Sequence, residues 1–335
     1  MNIIIPMAGM GKRMRPHTLT TPKPLIPIAG KPMVHRIVED IAATSNEPIE
    51  NIGFICGRFG EQAEKELVAV AESLGAKGHI FYQDTPKGTA HAILCAQALL
   101  KGHVFLAFAD TLFDAHFTID TNKDAIIWTQ KIDNPSAFGV VVLNEDGSVN
   151  RFEEKPKVFV SDLAIIGVYY FKDGENLRSE LQYLLDNNIS TGGEYQLTDA
   201  MENMRAKGLG FYTGQVDEWL DCGNKDATLF TMERILALKQ GKETLVSASA
   251  KITNSTIIEP CFIGEGATVT NSVVGPYASI EAGANISGSL VKYSIIRNGA
   301  AVQNANLHKS LIGSFASIEG NAQETSLSDY STLQA

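Results

Sequence analysis

Six cations, Lys12, Arg13, Arg15, Lys23, Lys31 and Arg36, crowd the start of the chain, and no acid precedes Glu39. The chain as a whole carries a net charge of -10, so this excess is local. It surrounds a turn, Ala8-Gly9-Met10-Gly11-Lys12-Arg13, that leaves an apolar run at residues 3–5. Glycines let backbone N–H groups approach an anion closely, and neighbouring cations neutralise it. The pattern predicts a polyphosphate site. Two common phosphate loops do not fit it. A Walker loop needs Gly-Lys-Ser/Thr, but Arg13 follows Gly11-Lys12 and Pro6 stands where the first glycine belongs. A dinucleotide fingerprint needs a third glycine where Met14 stands.

Other residues of chemical interest are spread over the next two hundred positions. Gln83 and Gly88 flank Asp-Thr-Pro-Lys, and a side-chain amide offers a base edge both a donor and an acceptor. Asp110 follows the apolar run 104–109, which places a carboxylate where parallel-sheet enzymes bind metal-nucleotides. Glu154 and Lys155 adjoin in Phe-Glu-Glu-Lys-Pro, Gly139 follows Phe138, Glu194 follows Gly193, and Asp221 follows Trp-Leu. His91 reads as packing or helix surface, because no second His or acid completes a constellation. Thr198 and Asp199 read as candidate helix caps.

Gly-x-Gly-x-Arg, with Lys23 of Thr-Pro-Lys-Pro ten residues after Arg13, resembles the signature loop of the sugar-1-phosphate nucleotidylyltransferases, the NDP-sugar pyrophosphorylases. Those enzymes include the glucose-1-phosphate thymidylyltransferases. The family usually has Thr or Ser where this chain has Lys12. The remaining motifs follow in the family's order as far as about residue 240. The resemblance implies that Ala8, Gly9, Gly11, Gln83 and Gly88 hold the nucleotide, and that Arg13 and Lys23 are the catalytic cations. It implies that Gly139, Glu154, Lys155 and Glu194 bind the sugar phosphate, and that Asp110 and Asp221 hold Mg²⁺. The implied reaction joins an NTP, dTTP or UTP before GTP, to a sugar-1-phosphate and releases pyrophosphate. Alternatives are a mannose-1-phosphate guanylyltransferase and a regulatory homologue that binds nucleotide-sugar without turnover. The five charged residues Arg13, Lys23, Asp110, Lys155 and Asp221 are all present, which favours an enzyme.

These residues need a scaffold. Strand-like apolar runs at 3–6, 51–56, 79–83, 104–109 and 125–129 alternate with helical patterns at 33–43, 61–74 and 90–100. Such alternation predicts an α/β, Rossmann-like, mainly parallel sheet with helices on both faces. The segments 138–143, 149–153 and 164–171 predict antiparallel insertions, and 226–238 a closing helix. From about residue 251 the pattern changes. Residues 254–270 align with 271–287, and units at 288–303 and 304–319 follow. Aliphatic residues recur every five or six positions, which excludes helices and predicts a short parallel β-helix, resembling the left-handed hexapeptide-repeat type. The predicted domains are 1–243 (catalytic), 244–321 (β-helix) and 322–335 (polar tail). The repeats carry almost no clustered charge, so the β-helix is expected to serve assembly and stability. His308 raises an acyltransferase reading, but a lone His on so few coils supports it poorly.

Composition bounds the rest. The acidic balance argues against nucleic-acid binding, and no apolar run approaches the ~20 residues that span a membrane. Cys56, Cys95, Cys222 and Cys261 lack metal-ligand spacing and read as reduced thiols. A cytoplasmic homo-oligomer is the expectation.

Overall fold

The computed structural model describes residues 1–114, 118–320 and 325–334. They form two compact units, residues 1–9 with 37–219 and residues 10–36 with 220–335.

The first unit is built on a nine-stranded sheet. Asn2–Pro6 lies in parallel between Val104–Ala107 and Asn51–Cys56, and Lys77–Tyr82 continues the sheet beyond Asn51–Cys56. Asn2–Pro6 and Val104–Ala107 are buried throughout, as the apolar runs 3–5 and 104–107 require of strands covered on both faces. Leu163–Phe171 runs antiparallel to Val104–Ala107 and to Ala125–Lys131, and Gly139–Leu143 pairs antiparallel with Val149–Glu154. The predicted strands are therefore present, including the antiparallel insertion, whereas the helix expected at 90–100 is Thr89–Cys95 followed by a separate turn at Gln97–Leu99. Phe211–Gln215 is a further strand, parallel to Ala125–Lys131. Its Phe-Tyr-Thr-Gly-Gln sequence is too polar to have announced it. Phe211 seals the core edge-on against Phe152 and Phe171, at centroid distances of 5.1 and 6.5 Å. Among the described residues no helix is long and apolar enough to cross a membrane.

The second unit contains the β-helix, as three parallel sheets of six, five and four strands. Register follows the repeat: Lys251 pairs with Thr268, Thr268 with Asn285 and Asn285 with Ala301. Buried stacks run along the sides, Ile263-Ile280-Ile296-Ile312 on one and Val269-Ile286-Val302-Ile318 on another. At one corner Asn254, Asn271 and Asn304 adopt φ of 48–51°, a conformation Asn tolerates better than most residues. A serine ladder closes the neighbouring turn, with Ser255 Oγ accepting from the Ser272 amide and Ser272 Oγ from the Ser289 amide.

Two features depart from expectation. Residues 326–334 are not a detached polar tail: Ser326–Leu327 pairs with Leu311–Ile312, and Thr332–Gln334 pairs with Ser317–Glu319. Tail residues 322–324 and 335 lie outside the described residues. The compact units also cut the chain differently from the boundary at 243/244. The segment 10–36 and the helix Lys225–Lys239 belong with the β-helix.

His17 illustrates the packing of that segment. It is 1% exposed, with Nε2 2.6 Å from Ser326 Oγ. Burial, aided by Arg297 and Lys225 and opposed by Asp329, pushes its imidazole from 6.5 down to about 4. The unfolded chain therefore binds the extra proton between those values, so stability falls as pH drops from about 6.5 to about 4. The loss should be on the order of 3 kcal/mol. Thermal melts of wild type and His17→Gln from pH 4 to pH 7 check this. The wild-type slope should be the steeper, and equal slopes would remove His17 as the cause.

Candidate active site

In the first unit the turn that precedes the helix Thr89–Cys95 organises one cluster. Gly88 has φ of 111°, and a Cβ there would lie 2.4 Å from the Tyr195 carbonyl oxygen. Only glycine lets the two backbones meet. The approach is fixed by hydrogen bonds from the Ala90 amide to the Tyr195 carbonyl (2.9 Å) and from the Tyr195 amide to the Lys87 carbonyl (2.8 Å). It brings the segment carrying Glu194 beside the Gln83 motif. Gln83 Nε2 donates to the Gly88 carbonyl at 3.0 Å and lies 3.0 Å from His91 Nδ1. Burial, with Lys87 contributing, lowers the His91 pKa, which favours the neutral ring able to accept there. Both amide hydrogens of Gln83 are thus engaged within the protein. His91 was unrecognisable as part of this cluster because its partner is a side chain on a preceding loop.

A second cluster forms where Gly139–Leu143 meets Val149–Glu154. Gly139 pairs with Glu154, and a Cβ on Gly139 would stand 3.1 Å from Glu154 Oε2. Glu154 Oε2 accepts from the Thr198 hydroxyl at 2.6 Å, and Glu154 Oε1 lies 3.3 Å from Lys155 Nζ. Lys155 is the more exposed of the pair and has φ of 45°. Neither Thr198 nor Asp199 caps the helix Leu197–Ala206; its first flanking residue is Gln196, which makes no side-chain cap bond. Asp199 instead accepts from the Thr191 hydroxyl at 3.1 Å, and its other oxygen is buried without a hydrogen-bond partner. Burial, with the Glu154 charge adding to it, raises the Asp199 pKa. Glu194 is exposed and accepts from Gln196 Nε2 at 3.1 Å.

Asp110 stands three residues beyond the end of Val104–Ala107 and is half-buried. Ala8 is half-buried, while Gly9 is exposed and a Cβ there would meet open space.

The second unit carries the basic loop. Gly11 is left-handed (φ 56°), and the turn Lys12–Met14 follows it. A Cβ on Gly11 would press on Thr18 and Lys23 at 3.0 and 3.1 Å, so Gly11, Thr18 and Lys23 are packed together. The Thr18 hydroxyl also donates to the Gly11 carbonyl at 2.9 Å. Met14 is buried, which leaves Arg13 exposed beside it, whereas Lys23 is only 8% exposed. Asp221 lies near Arg13: a Cβ on Gly223 would be 2.8 Å from Asp221 Oδ2 and 3.3 Å from an Arg13 terminal nitrogen. The helix Lys225–Lys239 holds Asp221 through the Thr231 hydroxyl, which donates to the Asp221 carbonyl at 2.7 Å. Gly11, Arg13, Lys23 and Asp221 thus share the second unit; Gln83, Gly88, Asp110, Gly139, Glu154, Lys155 and Glu194 share the first.

Among the described residues no three His, Cys, Asp or Glu side chains gather as a metal cage. Asp110 and Asp221 each offer a carboxylate, the ligand type that Mg²⁺ takes alongside substrate phosphates.

The chain is 28% identical to a glucose-1-phosphate thymidylyltransferase of Streptomyces griseus over the whole of this chain and 99% of that protein. It is 28% identical to the mannose-1-phosphate guanylyltransferase catalytic subunit beta of Drosophila pseudoobscura pseudoobscura, over 79% of this chain and 71% of that one. A solved UDP-glucose pyrophosphorylase complexed with UDP-glucose shares the fold at a TM-score of 0.58 and 22% identity, covering 71% of this chain and 98% of its own. The family pattern described as nucleotidyl transferase matches residues 2–237, and the chain belongs to that family.

Proposed function

We propose that the protein transfers a nucleotidyl group from an NTP to a sugar-1-phosphate, releasing pyrophosphate and an NDP-sugar. The observation that carries this reading is the cluster of Gly139, Glu154, Lys155 and Thr198. It sets a hydroxyl-accepting carboxylate, braced by Thr198, next to an exposed ammonium, and the missing side chain of Gly139 lets Glu154 and Thr198 close in. A sugar phosphate suits both groups, its hydroxyls donating to the carboxylate and its phosphate pairing with the ammonium. The basic loop supplies the complementary requirement for a triphosphate.

The chemistry needs positioning and charge neutralisation more than covalent help. A sugar-phosphate oxygen, already ionised at neutral pH, attacks the α-phosphorus in line, and no general base is required. Lys155 holds the incoming phosphate and Glu154 the sugar hydroxyls. Lys23 steadies the α-phosphate, and Arg13 stabilises the charge that develops on the departing pyrophosphate. Asp110 and Asp221 are the proposed holders of Mg²⁺, which when bound neutralises phosphate charge.

Base choice follows from Gln83. An acceptor oxygen there suits the N3–H of thymine or uracil and opposes the N1 acceptor of adenine. Guanine also offers an N–H, which makes GTP the second candidate, in line with the guanylyltransferase relative. We expect dTTP and UTP to exceed ATP, and Gln83→Ala to narrow that gap by about 1–3 kcal/mol. Pyrophosphate release from each NTP with a panel of hexose-1-phosphates tests both points. A wild-type preference for ATP would sink the assignment of Gln83, and release with no pair would sink the reaction.

A further inference from the structure

The stretch between Arg13 and Lys23 is short of internal support. It holds only three-residue turns, Lys12–Met14 and His17–Leu19, before that of Lys23–Leu25. Its ties run instead to the far end of the β-helix, within the same compact unit. Ser328 Oγ donates to the Pro16 carbonyl at 3.1 Å, and Ser326 Oγ meets the His17 ring. The hydroxyls of Thr20 and Thr21 donate to Asp329 Oδ2 at 2.5 and 3.1 Å, and an Arg297 Nη donates to Thr21 Oγ1 at 3.0 Å. Asp329 is itself pinned, because its Oδ1 accepts from Arg297 Nη1 and from the Ser314 amide, both at 2.8 Å.

The side chains of Arg297 and Asp329 are each 7% exposed. A buried pair of opposite charges persists only in good geometry with further hydrogen bonds, and here Thr20 and Thr21 provide some of them. Lys23 is flanked on its other side as well. A Cβ on Gly30 would fall 2.2 Å from the Phe262 ring, and the Gly30 amide donates to Glu281 Oε1 at 3.3 Å. Both arms of the loop therefore rest on β-helix side chains.

We propose that the Arg297–Asp329 pair is a positioning element of the triphosphate site: it grips Thr20 and Thr21 and thereby sets where Arg13 and Lys23 stand. This rests on the nucleotidyl-transfer reading. It gives the β-helix a part in substrate binding beyond the assembly and stability its sequence suggested. Neither Arg297 nor Asp329 touches substrate; both act through the loop.

Thr21→Val and Asp329→Asn, made in the full chain, test the idea; the first keeps the side-chain volume and guards against a folding defect in the second. The KM for the NTP should rise roughly 10-fold in each, as the loss of one or two hydrogen bonds predicts. The KM for sugar-1-phosphate should stay within about twofold of wild type, below the effect of one such bond. Hydrogen exchange at the Met14, Leu19 and Thr21 amides should quicken about 10-fold while the Ile263 and Ile280 amides keep their protection. Unchanged exchange in both variants overturns the proposal. So does faster exchange with an unchanged NTP KM, or a fall in kcat alone, which reports lost active protein. If wild type turns over no pair of substrates, the nucleotidyl-transfer reading fails separately. Calorimetric binding of inorganic pyrophosphate with Mg²⁺ then decides: weaker binding in both variants supports the positioning role, and equal binding overturns it.

Discussion

Pyrophosphate release should fall at least ~100-fold in Asp110→Asn and in Asp221→Asn, each assayed at saturating substrates across a range of Mg²⁺ concentrations. A triphosphate and a sugar phosphate repel one another, and bringing them together requires counter-charge. A loss of ~3 kcal/mol of transition-state stabilisation corresponds to that change in rate. Asn keeps the shape of each side chain and removes its charge, so a collapse in turnover with an unchanged melting temperature isolates the electrostatic role. Near-wild-type turnover in either single variant, or full activity in EDTA, would refute the assignment of these carboxylates to Mg²⁺.

Gly88→Ala should be the most damaging single methyl group in the first unit's site. The new Cβ would lie 2.4 Å from a carbonyl oxygen and 2.6 Å from an amide nitrogen of Tyr195, and φ is 111°. Backbone cannot swing aside as a flexible side chain can, so the loop and the Tyr195 segment must part. Strain of about 1–3 kcal/mol for the backbone conformation and a similar amount for overpacking are expected. The melting temperature should drop by on the order of 10 °C. The KM for the NTP should rise as well, because the Gly88 carbonyl orients the Gln83 amide. Gly102→Ala is the control: φ is 54° but nothing lies within 4 Å of a Cβ there. It should cost only about 1 kcal/mol. Equal losses in the two variants would show that backbone conformation, and not the approach of Tyr195, governs position 88.

Where local pattern governs, the sequence was readable. Asn51–Cys56 is as expected, and Asn2–Pro6 and Lys225–Lys239 differ from expectation by one residue at each affected end. The coil register was equally plain, because Cys261 had to stack on Ala278 for the aliphatic rows to align. What escaped was set by partners distant in sequence. Thr198 was read as a cap, yet it serves Glu154, 44 positions away. His91 has no signal of its own until Gln83 is brought beside it. The coil at 326–334 was overlooked because Leu327 and Leu333 are its only large aliphatic residues, set among Ser, Thr, Asp and Gln. Its strands become evident only from what they stack upon. The candidate site residues came from motif order, which names positions but not the bonds that orient them.

The ties between the basic loop and the end of the β-helix join residues 276 to 312 positions apart. At a synthesis rate of roughly 5–20 residues per second, the wait between making His17 and making Ser326 is about 15–60 s. The parallel strands of the first unit do not depend on those ties, so the nascent chain can order its sheet while its own second segment remains unanchored. Closing so long a loop is slow relative to local folding. Chaperone demand during translation should therefore concentrate on residues 10–36, an early segment whose structural partners emerge late.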